Sequence, residues 1–227
     1  MKTIGVIAIL VTMQAHGLRP VGSQTTTSKR VEVSKNVVLE IDGDKRRVLI
    51  NAYVCFRQGQ LEQLLTRKGT KEHEAIVAAD VDARAIHSAL ILAKAEPGKP
   101  VQFRPKFQPP TGTVIKVFVE YKDKDNKLVR VPAQQWVRTA KDKKDLAYDW
   151  VFAGSGFFPD PSDKTRPPYY MANDGDVICV ANFDTAMLDL PIESTKDNDD
   201  LVFEAHTERI PALQTPVVVI LEPVLKK

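Results

Sequence analysis

The residue types best suited to chemistry concentrate between positions 55 and 87 of the 227-residue chain. A thiolate and an imidazole are ligands that suit zinc or copper. The same two groups can act as nucleophile and general base in a thiol-dependent enzyme. The segment therefore predicts one functional site. Its polar members are Cys55, Arg57, Glu62, Glu72, His73, Glu74, Asp80, Asp82 and His87.

These residues support two chemical interpretations and one interpretation without chemistry. A metal site would use Cys55 and His73, with Glu72, Glu74 or His87 as a further ligand, to hold zinc or copper. A catalytic site would use Cys55 as nucleophile and His73 as base. Alternatively, the segment has no chemical role: His87 packs between a helix and the sheet, and the carboxylates are surface charge. A buried cysteine, too, is more often inert than reactive. The remaining candidate ligand-binding residues are Arg57, Glu62 and His87.

The usual signatures of catalysis are absent from the sequence. It contains no Gly-x-Ser-x-Gly, no Walker loop, no His-Glu-x-x-His and no Cys-x-x-Cys. This absence favours a binding protein over an enzyme. The spacing of the two cysteines, Cys55 and Cys179, leaves open whether they form a disulfide or remain separate thiols.

The first 23 residues have the three-part pattern of a signal peptide. Lys2 supplies the positive charge, and residues 4–13 form an apolar run that is too short to span a bilayer. Val21 and Ser23 are small enough to flank a cleavage site after residue 23. The sequence therefore predicts a secreted or periplasmic protein that does not span the membrane once this peptide is removed.

The charge composition gives no reason to expect a nucleic-acid partner. The chain has 32 Lys and Arg against 29 Asp and Glu, a net charge of +3. Removal of residues 1–23 takes away Lys2 and Arg19 and no acid, which leaves 30 − 29 = +1. Binding to nucleic-acid phosphates needs a basic surface, which this nearly neutral charge does not indicate. For an exported chain, an envelope protein is the better candidate partner. Hydrophobic residues make up 43% of the chain and charged residues 27%, which excludes intrinsic disorder.

Strands are expected to carry two of the candidate side chains. Cys55 closes a predicted strand, and His73 opens the next one. Residues 42–44 (Asp-Gly-Asp) predict a tight turn between the second and third strands. The strands predicted in this part of the chain are 31–33, 37–41, 47–55 and 73–79.

Helices are predicted in the same part of the chain. The apolar spacing of residues 61–65 fits one face of a short helix that ends at Gly69. A second helix spans about residues 83–95, with residues 80–82 (Asp-Val-Asp) as its N-cap, and carries His87.

The second half of the chain predicts strands that are joined by proline-rich loops at 97–113 and 159–168. Residues 173–176 (Asn-Asp-Gly-Asp) predict a hairpin turn between two of these strands. Four aromatic residues either line a groove beside the proline loops or cap the sheet: Trp136, Trp150, Tyr169 and Tyr170. The predicted strands are 114–121, 128–137, 149–152, 169–172, 177–181 and 217–221.

These elements predict the α+β fold class. Residues 24–30 are expected to form a disordered linker, and residues 31–224 a single domain. In that domain two or three helices would pack on one face of a mixed, mostly antiparallel sheet, because the predicted helices are grouped early in the chain.

Five segments of the chain resemble the bacterial YdjY-domain proteins, which are secreted or envelope-associated proteins of undetermined biochemical role. The segments are 55–62 (CFRQGQLE), 69–74 (GTKEHE), 85–90 (AIHSAL), 149–155 (DWVFAGS) and 175–180 (GDVICV). The resemblance covers residues 30–224. It implies that the positions of interest are Cys55, Gly59, Glu62, His73 and His87.

A ferredoxin-like label on some YdjY-domain relatives would imply an iron–sulfur cluster. Two distant cysteines cannot supply the four thiolates of an ordinary cluster, so we expect none in this chain.

The sequence favours an exported binding protein with a metal or ligand site near Cys55, His73 and His87. One alternative is a thiol-dependent enzyme that uses Cys55 with His73. Another alternative is a structural or interaction domain of the envelope with no small-molecule site. Both site hypotheses require these side chains to converge in the folded protein.

Overall fold

The structure, a computed structural model, describes residues 28–159, 161–194 and 202–225. The predicted signal peptide and residues 24–27 of the predicted linker lie outside the described residues. No described helix is long and apolar enough to cross a membrane. The first half of the described chain has one α-helix, α1 (Ala83–Leu92). Its strands are β1 (Lys29–Ser34), β2 (Val37–Asp42), β3 (Lys45–Val54), β4 (Gln60–Leu61), β5 (Gln63–Arg67) and β6 (Ala75–Ala79).

The second half of the described chain consists of strands and two 3₁₀ turns, at Ala133–Trp136 and Met171–Asp174. Its strands are β7 (Val114–Lys122), β8 (Leu128–Pro132), β9 (Val137–Thr139), β10 (Trp150–Phe152), β11 (Phe157–Phe158), β12 (Tyr169–Tyr170), β13 (Ile178–Cys179), β14 (Leu188–Asp189), β15 (Phe203–Ala205) and β16 (Pro216–Pro223).

Eight strands close into a barrel in the order β3, β16, β7, β10, β14, β13, β5 and β6. The ring closes where β6 pairs with β3, with Tyr53 opposite Ala78. Most ladders are antiparallel, whereas β5–β6 and β13–β14 are parallel. The hairpin of β1 and β2 extends from β3, and β8 extends from β7. Closure leaves few unpaired strand edges in the ring.

Alternation along the long strands separates an apolar interior from a polar exterior. On β7, Val117 and Val119 are buried between more exposed neighbours, and on β3 Val48 and Ile50 are buried in the same way. Trp150 of β10 is also fully buried, and its Nε1 donates to a main-chain carbonyl. Each such apolar side chain stabilises the fold by about 1.5–3 kcal/mol, and together they form one continuous core.

The predicted helix after Asp82 is confirmed as α1. The Asp82 carboxylate accepts a hydrogen bond from Arg84 N at 2.9 Å, which makes it the N-cap. Ile86 and Leu90, one turn apart, are buried and hold α1 against β2 and β3. The helix ends at Leu92, because the main chain turns back at the next residues.

The predicted α+β class with two or three helices is wrong, because the described chain is mostly β with a single α-helix. Residues 61–65, predicted as a helix, belong to β4 and β5. The spacing of Leu61, Leu64 and Leu65 looked amphipathic, but β5 lies between β6 and β13 and is buried on both faces. A strand of that kind has a nearly continuous apolar pattern, which periodicity alone cannot separate from a helix.

The predicted hairpin at residues 173–176 is also wrong. Met171–Asp174 forms a 3₁₀ turn, and Gly175 ends it as the C-cap with a positive φ of 123°. The preceding strand β12 pairs with β11, and β13 pairs with β5 and β14. The Asn-Asp-Gly sequence suits a tight hairpin turn locally. Which strands pair, however, depends on the whole barrel.

Candidate functional site

Cys55 follows the last residue of β3 and is held as a thiol. Its Sγ donates a hydrogen bond to Ala75 O at 3.0 Å. Burial, with the negative charge of Glu72, raises the pKa of Cys55 to about 12. Glu72 accepts a hydrogen bond from Tyr53 Oη at 2.6 Å. Because a nucleophile or metal ligand must be a thiolate, this environment opposes both chemical roles of Cys55.

The side chain of His73 points into solvent. The strands expected to carry Cys55 and His73 are indeed neighbours, since β3 pairs with β6. His73 precedes β6, however, and its side chain is 77% exposed, with Nε2 at 3.7 Å from Glu74 Oε2. The observed strand β6 begins two residues later than predicted, at Ala75, and so does not direct the imidazole towards the thiol.

His87 lies in a different setting, on the inner side of α1. Its Nδ1 is 2.8 Å from Tyr170 Oη, and its ring meets the edges of Phe152 and Tyr170 at centroid distances of 4.8 and 5.4 Å. Burial lowers the pKa of His87, which keeps the ring neutral. His87 thus packs between helix and sheet.

No described group of three or more His, Cys, Asp and Glu side chains is placed to hold a metal ion. The set of Cys55, His73 and Glu72 therefore does not form a metal site in the described residues. Cys55 and Cys179 are both free thiols. Cys179 is fully buried, which raises its pKa well above the ordinary value.

Arg57 and Glu62 have local roles. The Arg57 guanidinium donates to Thr207 O at 3.1 Å and to Ile210 O at 2.9 and 3.1 Å, so it ties down the chain after β15. Burial and the neighbouring Glu74 carboxylate raise the pKa of Glu62. Neither side chain lines a cleft described below.

A row of buried polar groups crosses β5, β13 and β14 and was not predicted. Gln63 lies opposite Cys179, and Asp189 follows on the next strand. Gln63 Oε1 and Asp189 Oδ2 have no hydrogen-bond partner among the described residues. Asp176 beside them is neutralised by Lys71, whose Nζ is 2.8 Å from Asp176 Oδ1. Because these groups are closed off from solvent, we expect them to affect the stability of the fold and not the binding of a ligand.

A cleft of about 610 Å³ lies beside the start of α1. We call it the arginine cleft, because three guanidinium groups line it, those of Arg67, Arg84 and Arg166. Phe158 and Tyr169, 56% and 47% exposed, add aromatic rings from the small β11–β12 sheet. Cavities of several hundred Å³ with apolar walls and a few polar groups are typical of ligand sites.

A hydrogen-bonded network fixes the floor of the arginine cleft. The Arg84 guanidinium binds both carboxylate oxygens of Asp82, with Nη2 2.6 Å from Oδ2. Asn173 Nδ2 donates to Asp82 Oδ1 at 3.1 Å, and Asn173 Oδ1 accepts from Ala83 N at 2.8 Å. These bonds lower the pKa of Asp82 to about 2. Asp82 therefore stays charged and is neutralised by Arg84.

Arg67 differs from Arg84 in its partners. Its Nε donates to Val81 O at 3.2 Å and its Nη1 to Asn173 O at 3.3 Å. Both acceptors are main-chain carbonyls, and within the described residues Arg67 forms no ion pair. The half-buried Arg67 guanidinium is thus oriented by the protein but keeps its positive charge.

Two predicted features meet at this cleft. Tyr169 and Tyr170 line it, as the groove hypothesis for the aromatic residues expected, whereas Trp136 and Trp150 are buried in the core. His87 lies directly behind Tyr170. Sequence reasoning missed Arg67, which is part of no motif, and assigned Asn173 only to a hairpin turn. The aromatic residues that flank the proline-rich loop at 159–168, Phe158 and Tyr169, were the available signal.

A second concave surface, the outer groove, lies across β3, β16, β7 and β8. It measures about 410 Å³ and is largely apolar, with Tyr121 and Leu128 among its lining residues. It lacks the oriented polar groups of the arginine cleft.

The family model of the YdjY domain matches residues 39–222. The chain belongs to the YdjY domain family. The matched part of this YdjY domain contains the arginine cleft, both cysteines and every candidate site residue. No curated protein and no solved structure matches the chain significantly.

Proposed function

We propose that this YdjY-domain protein is an exported binding domain whose ligand occupies the arginine cleft. One observation carries the proposal: a cavity of about 610 Å³ combines exposed aromatic rings with an oriented Arg67 guanidinium that has no carboxylate partner in the described chain. Such a combination of apolar wall and few fixed polar groups is the usual form of a small-molecule site.

Binding without catalysis is favoured over the thiol-dependent enzyme. The Cys55 thiol is bonded to a carbonyl and has a raised pKa, and His73 points into solvent. Among the described lining residues of the cleft the one carboxylate, that of Asp82, is held by Arg84 and Asn173 and is therefore not free to act as a general base.

Export is supported by the signal-peptide pattern of residues 1–23. The test is to express the full chain in a bacterium, separate the compartments and measure the intact mass of the protein. We expect cleavage after residue 23 and recovery outside the cytoplasm. A cytoplasmic chain that retains residues 1–23 would contradict the proposed localisation.

The ligand site can be tested by amide NMR of the mature protein with a mixture of neutral, anionic and cationic fragments. We expect the fragments that bind to shift the amide signals of Arg84, Tyr169 and Asn173. Tyr169→Ala should abolish these shifts. Tyr148→Ala, which removes an exposed tyrosine outside the cleft, should leave them unchanged.

Two results would contradict the proposed site. One is that bound fragments shift amides around Tyr121 and Leu128 in the outer groove. The other is that fragment shifts at the arginine cleft survive the Tyr169→Ala substitution.

A further inference from the structure

We infer that the ligand of the arginine cleft carries an oxyanion, a carboxylate or a phosphate, attached to a flat apolar body. This inference rests on the proposed function, because it assigns a chemical class to the ligand of the same cleft.

The anionic part follows from the hydrogen bonds of Arg67. The carbonyls of Val81 and Asn173 hold Nε and Nη1, at 3.2 and 3.3 Å. In the described part of the chain, Nη2 has no acceptor. The guanidinium plane is therefore fixed before a ligand arrives, and unused N–H donors remain. A fixed guanidinium fork matches the geometry of carboxylate and phosphate oxygens.

The charge balance of the cleft agrees with an anion. Its described lining residues contribute three arginines and one carboxylate, that of Asp82, and Arg166 is already paired with Asp163, with Nε 3.2 Å from Oδ2. Arg84 and Asn173 occupy both oxygens of that carboxylate, so Asp82 does not compensate Arg67. A cationic ligand would meet like charge from Arg67, and a neutral ligand would leave this charge without a counterion in a half-buried site.

The flat apolar part follows from Tyr169. Pairing of β12 with β11 and a hydrogen bond from Tyr169 Oη to Asp174 Oδ1, at 2.6 Å, hold its ring in place. The hydroxyl group is thus already used, and the exposed ring offers an apolar face. Pro167 and Pro168 lie beside it and line the same cleft. Rings of this kind bind flat groups by stacking.

The test compares one neutral probe with two anionic probes. Benzoate and benzamide have nearly the same shape, and phenyl phosphate presents the other oxyanion. Each is titrated by calorimetry or amide NMR into the mature wild-type protein and into Arg67→Gln. Arg46→Gln is the matched control, because Arg46 lies near the start of β3 and does not line the cleft.

We expect benzoate or phenyl phosphate to bind the wild type roughly 10- to 100-fold more tightly than benzamide, the range expected for charge-assisted hydrogen bonds. Arg67→Gln should remove this preference and Arg46→Gln should keep it. Added salt should weaken binding of the anions more than that of benzamide. Whichever of the two anions binds more tightly identifies the carboxylate or the phosphate as the preferred group.

Three results would overturn the inference. Equal affinities of benzoate, phenyl phosphate and benzamide for the wild type would refute the preference for an oxyanion without any variant. If benzamide binding were then lost in Tyr169→Ala, the cleft would still be the ligand site. A preference for anions that persists in Arg67→Gln would show that Arg67 does not provide the selectivity. Absence of binding by all three probes would also overturn the inference, and the fragment experiment would then decide separately whether the cleft binds anything.

Discussion

Replacement of Asp189 by asparagine is expected to make the free energy of unfolding less dependent on pH. The Asp189 carboxyl group is fully buried. Its Oδ1 accepts hydrogen bonds from Asn182 Nδ2 at 3.0 Å and from Leu190 N at 2.8 Å, whereas Oδ2 has no partner in the described residues. Burial, and to a smaller extent the negative charge of Asp176, raises the pKa of Asp189 to about 7.

The raised pKa determines the sign and size of the effect. In the unfolded chain Asp189 ionises near the ordinary value of 3.8, whereas in the folded protein it keeps its proton up to about pH 7. Its contribution to stability is therefore greatest below about pH 4 and is lost as the pH rises to about 7. The difference between the two pKa values corresponds to about 4 kcal/mol.

The assay is urea unfolding at a series of pH values from about 4 to about 8. Relative to Asp189→Asn, the wild type should lose about 4 kcal/mol of unfolding free energy across this range. Asp125→Asn, at an exposed position between β7 and β8, should follow the wild type at every pH. Parallel profiles for the wild type and Asp189→Asn would refute the argument that the folded protein binds a proton at Asp189.

Three further predictions concern the Cys55 thiol, the hydrogen bonds of Arg57 and the close approach of Gly112 to a main-chain carbonyl. Cys55 should resist iodoacetamide in the native protein at pH 8, since its pKa is raised to about 12; rapid labelling seen by mass spectrometry would contradict this. Arg57→Ala should lower the free energy of unfolding by roughly 2–4 kcal/mol, because carbonyls in residues 207–210 lose their donors; an unchanged urea midpoint would count against it. Gly112→Ala should cost more than about 2 kcal/mol, because φ is 139° and the new Cβ would lie 2.1 Å from Phe152 O; a melting temperature equal to that of the wild type would disprove the close approach.

Local patterns were sufficient to predict the long strands and the helix. The β2–β3 hairpin follows from alternation and from Gly43, whose positive φ of 58° allows the tight turn. The start of α1 follows from Asp82, since an N-cap hydrogen bond involves only neighbouring residues. In each case the interaction that decides the structure lies within a few residues of the pattern.

Barrel closure could not be predicted from local patterns. Residues 61–65 lie in strands and not in a helix, because β5 pairs with β6 and β13 and is buried on both faces. The partner of a strand depends on the whole sheet, and apolar spacing in a short segment fits a helix or a buried strand equally well. The same limit explains the missed pairing of β12 with β11.

The predicted site residues are separated in the fold for a related reason. Cys55, His73 and His87 are close in sequence, but the barrel places them in three environments: a thiol bonded to a carbonyl, an exposed imidazole and a ring packed behind Tyr170. The arginine cleft instead joins Arg67 to Tyr169 from the other half of the chain. Density of reactive residues along the sequence does not imply that they meet in space.

The central claim, that the arginine cleft holds an anionic ligand on Arg67, is tested most directly by isotope-filtered NOE measurements on the labelled protein with bound benzoate. We expect NOEs from the benzoate ring protons to the Tyr169 ring and to the side chain of Arg67. NOEs confined to Tyr121 and Leu128 of the outer groove would contradict this claim.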